Sequence, residues 1–262
     1  MGSSGSMIGL CLSALMAGAV NSLAGGGTLL TFPVLVLALT AQGLSRDEAT
    51  VVANATSTVA LVPGALAGAW GYRREMPAAR TWLAILAAPS LVGGIIGSLL
   101  VTRLPPSYFA ALVPWLLLAA AVVFLGDTLL GQYRQSPLHD TKPSAAGVAG
   151  LVLCQFVVAV YGGYFGAGIG ILMLTSLALM GVGDMHRMNA LKTVLNACIN
   201  GVSVVIFVND GKVHWTFAVP MAVAAILGGY IGAWGALRVK PRYVRWAVIG
   251  IGFGLAGYYF WR

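Results

Sequence analysis

One lysine of this 262-residue chain is predicted to lie deep inside an apolar helix. With Asp184 as the cap of that helix, Lys192 is eight residues in, which is roughly 12 Å at about 1.5 Å of rise per residue. An ionisable side chain inside a membrane-spanning segment usually marks a functional site, and a cation there suits an anionic ligand. The alternative is a lysine whose long side chain reaches back to the membrane surface.

Polar residues accompany this lysine at spacings of three and four, which places them along one face of the same helix. They are Asn189, Thr193, Asn196, Asn200 and Ser203, and the first half of the chain has a similar set in Thr50, Asn54, Ser57 and Thr58. Each half is therefore predicted to present a hydrogen-bonding face within the membrane.

Two glycine clusters interrupt long apolar runs. The first is Gly25–Gly27 in NSLAGGGTLLTFP, and the second is the looser Gly166–Gly170 in YGGYFGAGIGILMLTS. Glycine destabilises a helix interior by about 1 kcal/mol relative to alanine, so each cluster predicts a helix break. Non-helical backbone at membrane depth is tolerated only inside protein or beside a wet cavity. Breaks at corresponding places in two halves therefore indicate a binding site.

Each break exposes the N-terminus of the helix that follows it. Unpaired N–H groups and the positive end of the helix dipole bind anions, and two such ends can share one ligand. The alternative is that these glycines only allow helices to pack. The predicted substrate site consists of Asn21, Gly25, Gly26, Gly27, Thr28, Asn54, Ser57, Gly166, Gly168, Gly170, Lys192, Thr193 and Asn196. Tyr161, Tyr164 and Gln155 either donate hydrogen bonds to the anion or pack.

No Asp or Glu lies within a predicted crossing. The nearest carboxylate, Asp127, is at the end of one. This argues against a coordinated cation, a carboxylate proton relay and a carboxylate-dependent intramembrane hydrolase. Three histidines, His139, His186 and His214, are predicted to lie in loops without metal-ligand spacing. Three cysteines, Cys11, Cys154 and Cys198, are predicted to be small buried hydrophobic residues. No catalytic residue, metal or cofactor is predicted.

The composition is that of an integral membrane protein. The chain is 59% hydrophobic and only 8% charged, whereas soluble domains are about 25% charged. Its net charge of +8 is placed in short loops, where it reports topology and not nucleic-acid binding. The opening MGSSGS is interpreted as an expression scar and excluded from the fold.

The chain divides into two similar halves. Two charge-free stretches, residues 7–44 and 144–183, are each interpreted as two short helices, or a full helix followed by a half helix, that meet at the glycine cluster. Three crossings follow each hairpin, at 49–71, 78–101 and 108–126 and at 188–208, 215–237 and 243–261. Gly93, Gly94, Gly97, Arg103, Pro106 and Tyr108 recur 135 positions later. The predicted units are 1–6 (scar), 7–127 (first repeat), 128–143 (polar linker) and 144–262 (second repeat).

The positive-inside rule sets the orientation of the two repeats. Ten cations fall inside if each broken hairpin returns to its starting side: Arg73, Arg74, Arg80, Arg134, Lys142, Arg187, Arg238, Lys240, Arg242 and Arg245. Four remain outside: Arg46, Arg103, Lys212 and Arg262. Each repeat then makes a net three crossings, so the fold class is all-α, polytopic, with two inverted repeats.

Small-residue pairs are predicted to bring helices close together. They are Gly93-x3-Gly97, Gly228-x3-Gly232 and Gly250-x3-Gly254. Packing within the chain is the preferred interpretation of these pairs. A homodimer interface is the alternative.

Five segments together resemble the TauE/SafE family of sulfite and organosulfonate exporters, also called toluene sulfonate uptake permeases. They are LAGGGTLLTFPVLV, RDEATVVANATS, FGAGIGILML, HRMNALKTVLN and VIFVNDGKVHW. The resemblance covers essentially the whole chain after the scar. It implies transport of a small sulfur-containing anion, such as sulfite, sulfoacetate or a related sulfonate, across the bacterial inner membrane.

The predicted function is alternating-access transport of such an anion, held between the two glycine breaks near the bilayer midplane. A passive anion channel is the first alternative. It would lack an occluded state and would outrun the roughly millisecond steps of a carrier. An intramembrane enzyme acting on a lipid head group is the second alternative. It would need a base or nucleophile within the crossings, where only Lys192 and hydroxyl residues qualify.

Overall fold

The computed structural model describes residues 3–23, 26–71, 76–130, 145–179, 185–235 and 241–261. These residues form ten helices and no strand: α1 (Ser3–Leu23), α2 (Thr28–Ala41), α3 (Arg46–Gly71), α4 (Met76–Arg103), α5 (Pro106–Leu130), α6 (Ala145–Tyr164), α7 (Ile169–Leu179), α8 (Met185–Asn209), α9 (Trp215–Gly235) and α10 (Pro241–Trp261). The all-α prediction is confirmed.

The long charge-free stretches are each split into a longer and a shorter helix, as predicted. In the first half α1 has 21 residues and α2 has 14. In the second half α6 has 20 residues and α7 has 11. Because spanning a bilayer takes about 20 apolar residues, α2 and α7 are too short to cross alone. Each hairpin therefore pairs a full-length helix with a half-length one.

Each of the six predicted crossings corresponds to one helix, namely α3, α4, α5, α8, α9 and α10. The first helix begins at Ser3, inside the segment interpreted as a scar. The fifth ends at Leu130, so the start of the predicted linker is helical. Residues 131–143 of that linker lie outside the described residues.

The outer surface of the bundle is apolar, as a lipid-facing surface must be. Leu153, Ile8 and Leu37 are 65%, 62% and 61% exposed, respectively. Within the described ranges, α3, α4, α5, α6 and α8 are long and apolar enough to cross a bilayer. The remaining five apolar helices have shorter described spans. Large apolar side chains exposed all around a helical bundle indicate that the chain is a polytopic membrane protein.

The two halves pack crosswise against each other. Helix α1 of the first half packs on α9 of the second, and α6 of the second half packs on α4 of the first. Helices α3 and α8 also contact each other, as do α5 and α10. The helices of the two halves correspond in order, α1 to α6, α2 to α7 and so on up to α5 and α10. If each helix in the four pairs is replaced by its counterpart in the other half, the same four pairs result. This exchange accords with two structural repeats, and their opposite orientation stays a prediction.

Glycines allow the backbones to touch in both of the crosswise contacts. A methyl group on Gly228 of α9 would overlap the backbone of Leu15 on α1, and one on Gly97 of α4 would overlap Val160 on α6. The packing interpretation of Gly93-x3-Gly97 is therefore confirmed. In the pair Gly228-x3-Gly232, Gly228 also touches the backbone of a neighbouring helix.

We expect Gly228→Ala to destabilise the protein, because the added methyl meets the carbonyl of Leu15 and cannot be relieved by a side-chain rotation. The cost should be about 1–3 kcal/mol, typical of overpacking. Gly229→Ala is the matched control, since the nearest atom to its methyl is the Gly18 oxygen at 3.8 Å. Thermal unfolding in detergent measures both, and equal Tm values for the two variants would contradict the described contact.

Two other expectations turn out differently. Gly250 and Gly254 have no atom of the described residues within 4 Å of an added methyl group, so this pair does not pack against the described part of the chain. A homodimer contact through α10 stays a prediction. The burial expected of the three cysteines is wrong for Cys154, which is exposed, and incomplete for Cys11 and Cys198. Cys154 lies on the lipid-facing side of α6, where a small apolar residue is equally acceptable.

Cations assigned to the outer side lie at neighbouring helix ends. The Arg46 guanidinium is 5.5 Å from the ring centroid of Tyr259, close in sequence to Arg262. Arg103 Nη2 is 3.4 Å from Asp210 Oδ1. Asp210 lies two residues before Lys212, another cation assigned to the outer side. The ends of α3 and α10, and those of α4 and α8, therefore lie side by side, which is compatible with the predicted topology.

Candidate functional site

The first glycine turn, Gly26–Gly27, joins α1 to α2. Its two amides donate to one acceptor, Asn21 Oδ1, with N···O distances of 3.0 Å from Gly26 and 3.2 Å from Gly27. Gly26 has φ 131°, in a region that favours glycine. Gly25 lies outside the described residues. Two N–H groups predicted to be unpaired thus converge on a side-chain oxygen of the preceding helix.

The second glycine turn, Phe165–Gly168, joins α6 to α7. Gly166 and Gly168 have φ angles of 75° and 76°, which other residues adopt only with strain. Tyr161 Oη donates to the Ala167 carbonyl at 2.6 Å, so its hydroxyl holds this turn. Both turns are therefore closed by a side chain near the end of the helix before them.

The two glycine turns meet at one side chain, Phe124 of α5. A methyl group on Gly26 would overlap the Phe124 ring, and one on Gly168 would lie 3.1 Å from it. The ring is fully buried. The two breaks therefore lie close together, but a phenyl ring and not an open space occupies the point where they meet. That they share one anion stays a prediction. Sequence reasoning missed Phe124, which is one apolar residue in a uniformly apolar helix and carries no local signal.

Helix α3 contacts both turns through residues one helical turn apart. Asn54 Nδ2 donates to the carbonyl of Tyr164, directly before the second turn, at 3.0 Å. Ser57 shares a hydrogen bond with Thr31 of α2, whose hydroxyl lies 3.4 Å from the Gly27 carbonyl. Asn54 and Ser57 are almost fully buried. The polar face predicted for the first half thus lies beside both breaks, and Thr31 is a member that the sequence did not single out.

Lys192 reaches the second half-length helix. The side chain is half-buried, and a methyl group on Gly170 of α7 would lie 3.4 Å from Lys192 Cδ. The structure therefore brings together two residues of the predicted site. Their contact places the aliphatic stem of the lysine beside the N-terminal part of α7, close to the end at which the helix dipole is positive.

The other polar residues of α8 make hydrogen bonds within their helix or to a neighbour. Thr193 Oγ1 donates to the Asn189 carbonyl at 2.7 Å. The Asn200 amide donates to the carbonyl and side-chain oxygens of Asn196. Ser203, further along, bonds Ser98 of α4 at 2.7 Å. The roles of Thr193 and Asn196 in substrate binding stay predictions.

Of the remaining candidates, Thr28 is half-buried at the first position of α2. Tyr164 packs edge-on against Phe109, with ring centroids 5.2 Å apart. Gln155 Nε2 donates to Ser90 Oγ of α4 at 2.8 Å. Gln155 thus bonds a residue outside both turns, and packing describes Tyr164 better than ligand contact does.

Comparison with known proteins agrees with this architecture. The sequence model of the family described as "Sulfite exporter TauE/SafE" matches residues 10–259. "Probable membrane transporter protein YfcA" of Escherichia coli (strain K12) is 25% identical over 232 residues, covering 88% of this chain and 81% of the relative.

Two further relatives carry similar names. "Probable membrane transporter protein" of Haemophilus influenzae is 26% identical over 82% of this chain and 78% of its own length. "Probable membrane transporter protein ORF9" of Sinorhizobium sp is 27% identical over 90% and 87%. No solved structure is significantly similar. Since the family match covers nearly the whole chain, the protein belongs to the TauE/SafE family of membrane transporters.

Proposed function

We propose that this transporter carries a small sulfur-containing oxyanion, such as sulfite, sulfoacetate or a related organosulfonate, across the bacterial inner membrane. One observation carries the proposal. Gly26 and Gly168, from the two broken hairpins, border the same Phe124 ring, while Asn54 and Ser57 of α3 hydrogen-bond Tyr164 and Thr31, which flank the two turns. Two helix N-termini from different halves therefore begin around one place inside the protein.

The amides of the first turn are suited to an anion oxygen. Those of Gly26 and Gly27 already point at a single acceptor, the side-chain Oδ1 of Asn21. A sulfonate or sulfite oxygen is a stronger acceptor, because hydrogen bonds to ionised groups are roughly twice as strong as neutral ones. In the proposal, substrate shares or replaces the oxygen of Asn21 at these amides.

Charge favours an anion over a cation. The acidic residues within the described ranges, Asp47, Glu48, Asp127 and Asp210, all lie at or near helix ends. Lys192 is within α8, with its stem against Gly170. A lysine together with the positive ends of α2 and α7 stabilises one negative charge in a low-dielectric interior. A sulfonate has one charge and three acceptor oxygens, which matches this set of donors.

The crosswise packing supports alternating access. Because α1 packs on α9 and α6 packs on α4, each broken hairpin is held by the opposite half. Rocking of one inverted repeat against the other would move both turns relative to the shared ring. The proposal requires the Phe124 ring to move when substrate binds, since it occupies the point where the turns meet.

A thermal-shift screen of the purified protein tests the substrate class. Sulfite, sulfate, thiosulfate, sulfoacetate and arylsulfonates are compared with chloride at equal ionic strength. We expect at least one sulfur oxyanion to raise the apparent Tm, because a ligand at 100 times its Kd stabilises the folded state by about 2.7 kcal/mol. No shift beyond chloride for any of them would contradict the proposal.

Flux measurements separate the proposal from its alternatives. A carrier in proteoliposomes saturates and turns over no faster than its roughly millisecond conformational steps, whereas a channel exceeds that rate without saturating. An intramembrane enzyme would instead alter the lipid head groups, which mass spectrometry of the same vesicles detects. Saturable uptake with unchanged lipids is the expected result.

A further inference from the structure

The carboxamide of Asn54 has one satisfied and one unsatisfied polar atom. The residue is 1% exposed, and its Nδ2 donates to the Tyr164 carbonyl at 3.0 Å. Its Oδ1 is buried and has no hydrogen-bond partner among the residues that the structure describes. The orientation of the amide follows from chemistry, since a carbonyl can only accept and must face the NH2 group. The side chain therefore offers a buried acceptor beside the second glycine turn.

Nearby hydroxyl groups are bonded elsewhere. Ser57, one turn further along α3, shares its hydrogen bond with Thr31. Tyr161 donates to the Ala167 carbonyl. Leaving a buried acceptor unpaired costs about 1–3 kcal/mol, so an oxygen in this position is expected to accept a hydrogen bond from a bound molecule.

We propose that this molecule is the substrate, and that the preferred substrate is a small sulfonate bearing a hydrogen-bond donor, a hydroxyl or ammonium group, on its carbon chain. The inference rests on the proposed function. The amides of the first turn and Lys192 would take the sulfonate oxygens, and Asn54 Oδ1 would accept from the donor group. Asn54 then determines specificity among sulfonates without holding the charge.

A buried polar atom of a binding site discriminates strongly between ligands that do and do not hydrogen-bond to it. A site built to hydrogen-bond a substrate group rejects an analogue that lacks the group, because its own polar atom is then left buried and unpaired. An apolar site distinguishes the same two molecules only weakly. We therefore expect a hydroxyl-bearing sulfonate to bind at least about tenfold more tightly than its methyl analogue, equivalent to about 1.4 kcal/mol.

The test uses sulfonates matched in size. Purified full-length protein is titrated with 2-hydroxyethanesulfonate, 2-aminoethanesulfonate and 1-propanesulfonate, which have the same number of non-hydrogen atoms. Binding is followed by calorimetry and thermal shift in sodium-free choline buffer. We expect at least one of the first two to bind tenfold or more tightly than 1-propanesulfonate. In folded Asn54→Leu this preference should disappear.

The outcomes are distinct. Equal binding of all three sulfonates would overturn this inference and leave the proposed function intact, whereas no binding of any oxyanion would contradict the proposed function itself. Stabilisation by sodium over choline without sulfonate would assign Asn54 Oδ1 to a cation and overturn the inference. If Asn54→Leu does not fold, Asn54→Ala replaces it, and a preference retained in the folded variant would also overturn the inference.

Discussion

Lys192→Ala is expected to lower sulfur-oxyanion uptake into proteoliposomes by about 10- to 100-fold, because the variant removes the cation of the proposed site. Two opposite charges 4 Å apart attract by about 4 kcal/mol at an effective dielectric constant of 20. Since 1.4 kcal/mol is a tenfold change in affinity, even half of that attraction gives the expected loss. Lys192→Arg keeps the charge and should retain more activity than Lys192→Ala.

The control for this prediction is Lys212→Ala, which removes a lysine from the turn between α8 and α9. We expect Lys212→Ala to transport like the native protein. Reduced transport by Lys212→Ala would instead reveal a general effect of net charge. Gel filtration and Tm establish that each variant is folded. Full transport by folded Lys192→Ala would remove this lysine from the substrate site and favour a side chain that reaches back to the membrane surface.

Phe124→Ala should cause a large loss of stability. The ring is fully buried and borders both glycine turns. Removing a buried phenyl ring typically costs about 3–5 kcal/mol, through lost burial and the cavity that remains. Phe253→Ala in α10 is the control, since that side chain is 37% exposed on the outer surface. Unfolding in detergent compares the two variants, and equal losses would show that Phe124 does not hold the turns together.

The same variant should acquire a new ligand preference. An apolar cavity of the size of a phenyl ring binds benzene, and the cavity left by Phe124→Ala would adjoin the proposed anion site. Benzenesulfonate should therefore stabilise Phe124→Ala more than methanesulfonate does, by a margin not seen in the native protein. If the two anions stabilise Phe124→Ala equally, the anion site does not adjoin this ring.

Hydrophobic patterning predicted the helices of this protein well. Charge-free stretches of about 40 residues with glycine clusters near their centres became pairs of helices, α1 with α2 and α6 with α7. These helices were predictable because a bilayer sets the length of a spanning helix, and because three nearby glycines destabilise the helix and favour its end. Charged loops marked the remaining helix ends within a few residues.

Local patterns could not predict long-range partners. The amides of Gly26 and Gly27, predicted to be free for a ligand, instead bond Asn21 Oδ1, five and six residues earlier in the chain. Asn21 is itself one of the residues predicted to contact the ligand. Phe124 comes to both turns from α5, about 100 residues from the first and 40 from the second. Such contacts depend on the packing of whole helices, to which a single apolar residue adds no distinguishing signal.

Small-residue pairs show the same limit. Gly97 touches the backbone of α6, whereas an added methyl on Gly250 or Gly254, with the same spacing, meets no atom within 4 Å in the described ranges. The spacing specifies that one face of a helix is flat, but not which surface it meets. The polar face of α3 was easier to predict, because buried polar residues in a membrane helix must find partners within the protein.

Anomalous diffraction from crystals grown with selenite tests the central claim most directly, since selenite has the shape and charge of sulfite and selenium locates it. The account predicts one selenium peak within hydrogen-bonding reach of the Gly26–Thr28 backbone and the N-terminal part of α7, with Lys192 directed towards it. A fully occupied peak elsewhere, such as beside Arg103 at the end of α4, with none between the two turns, would contradict it.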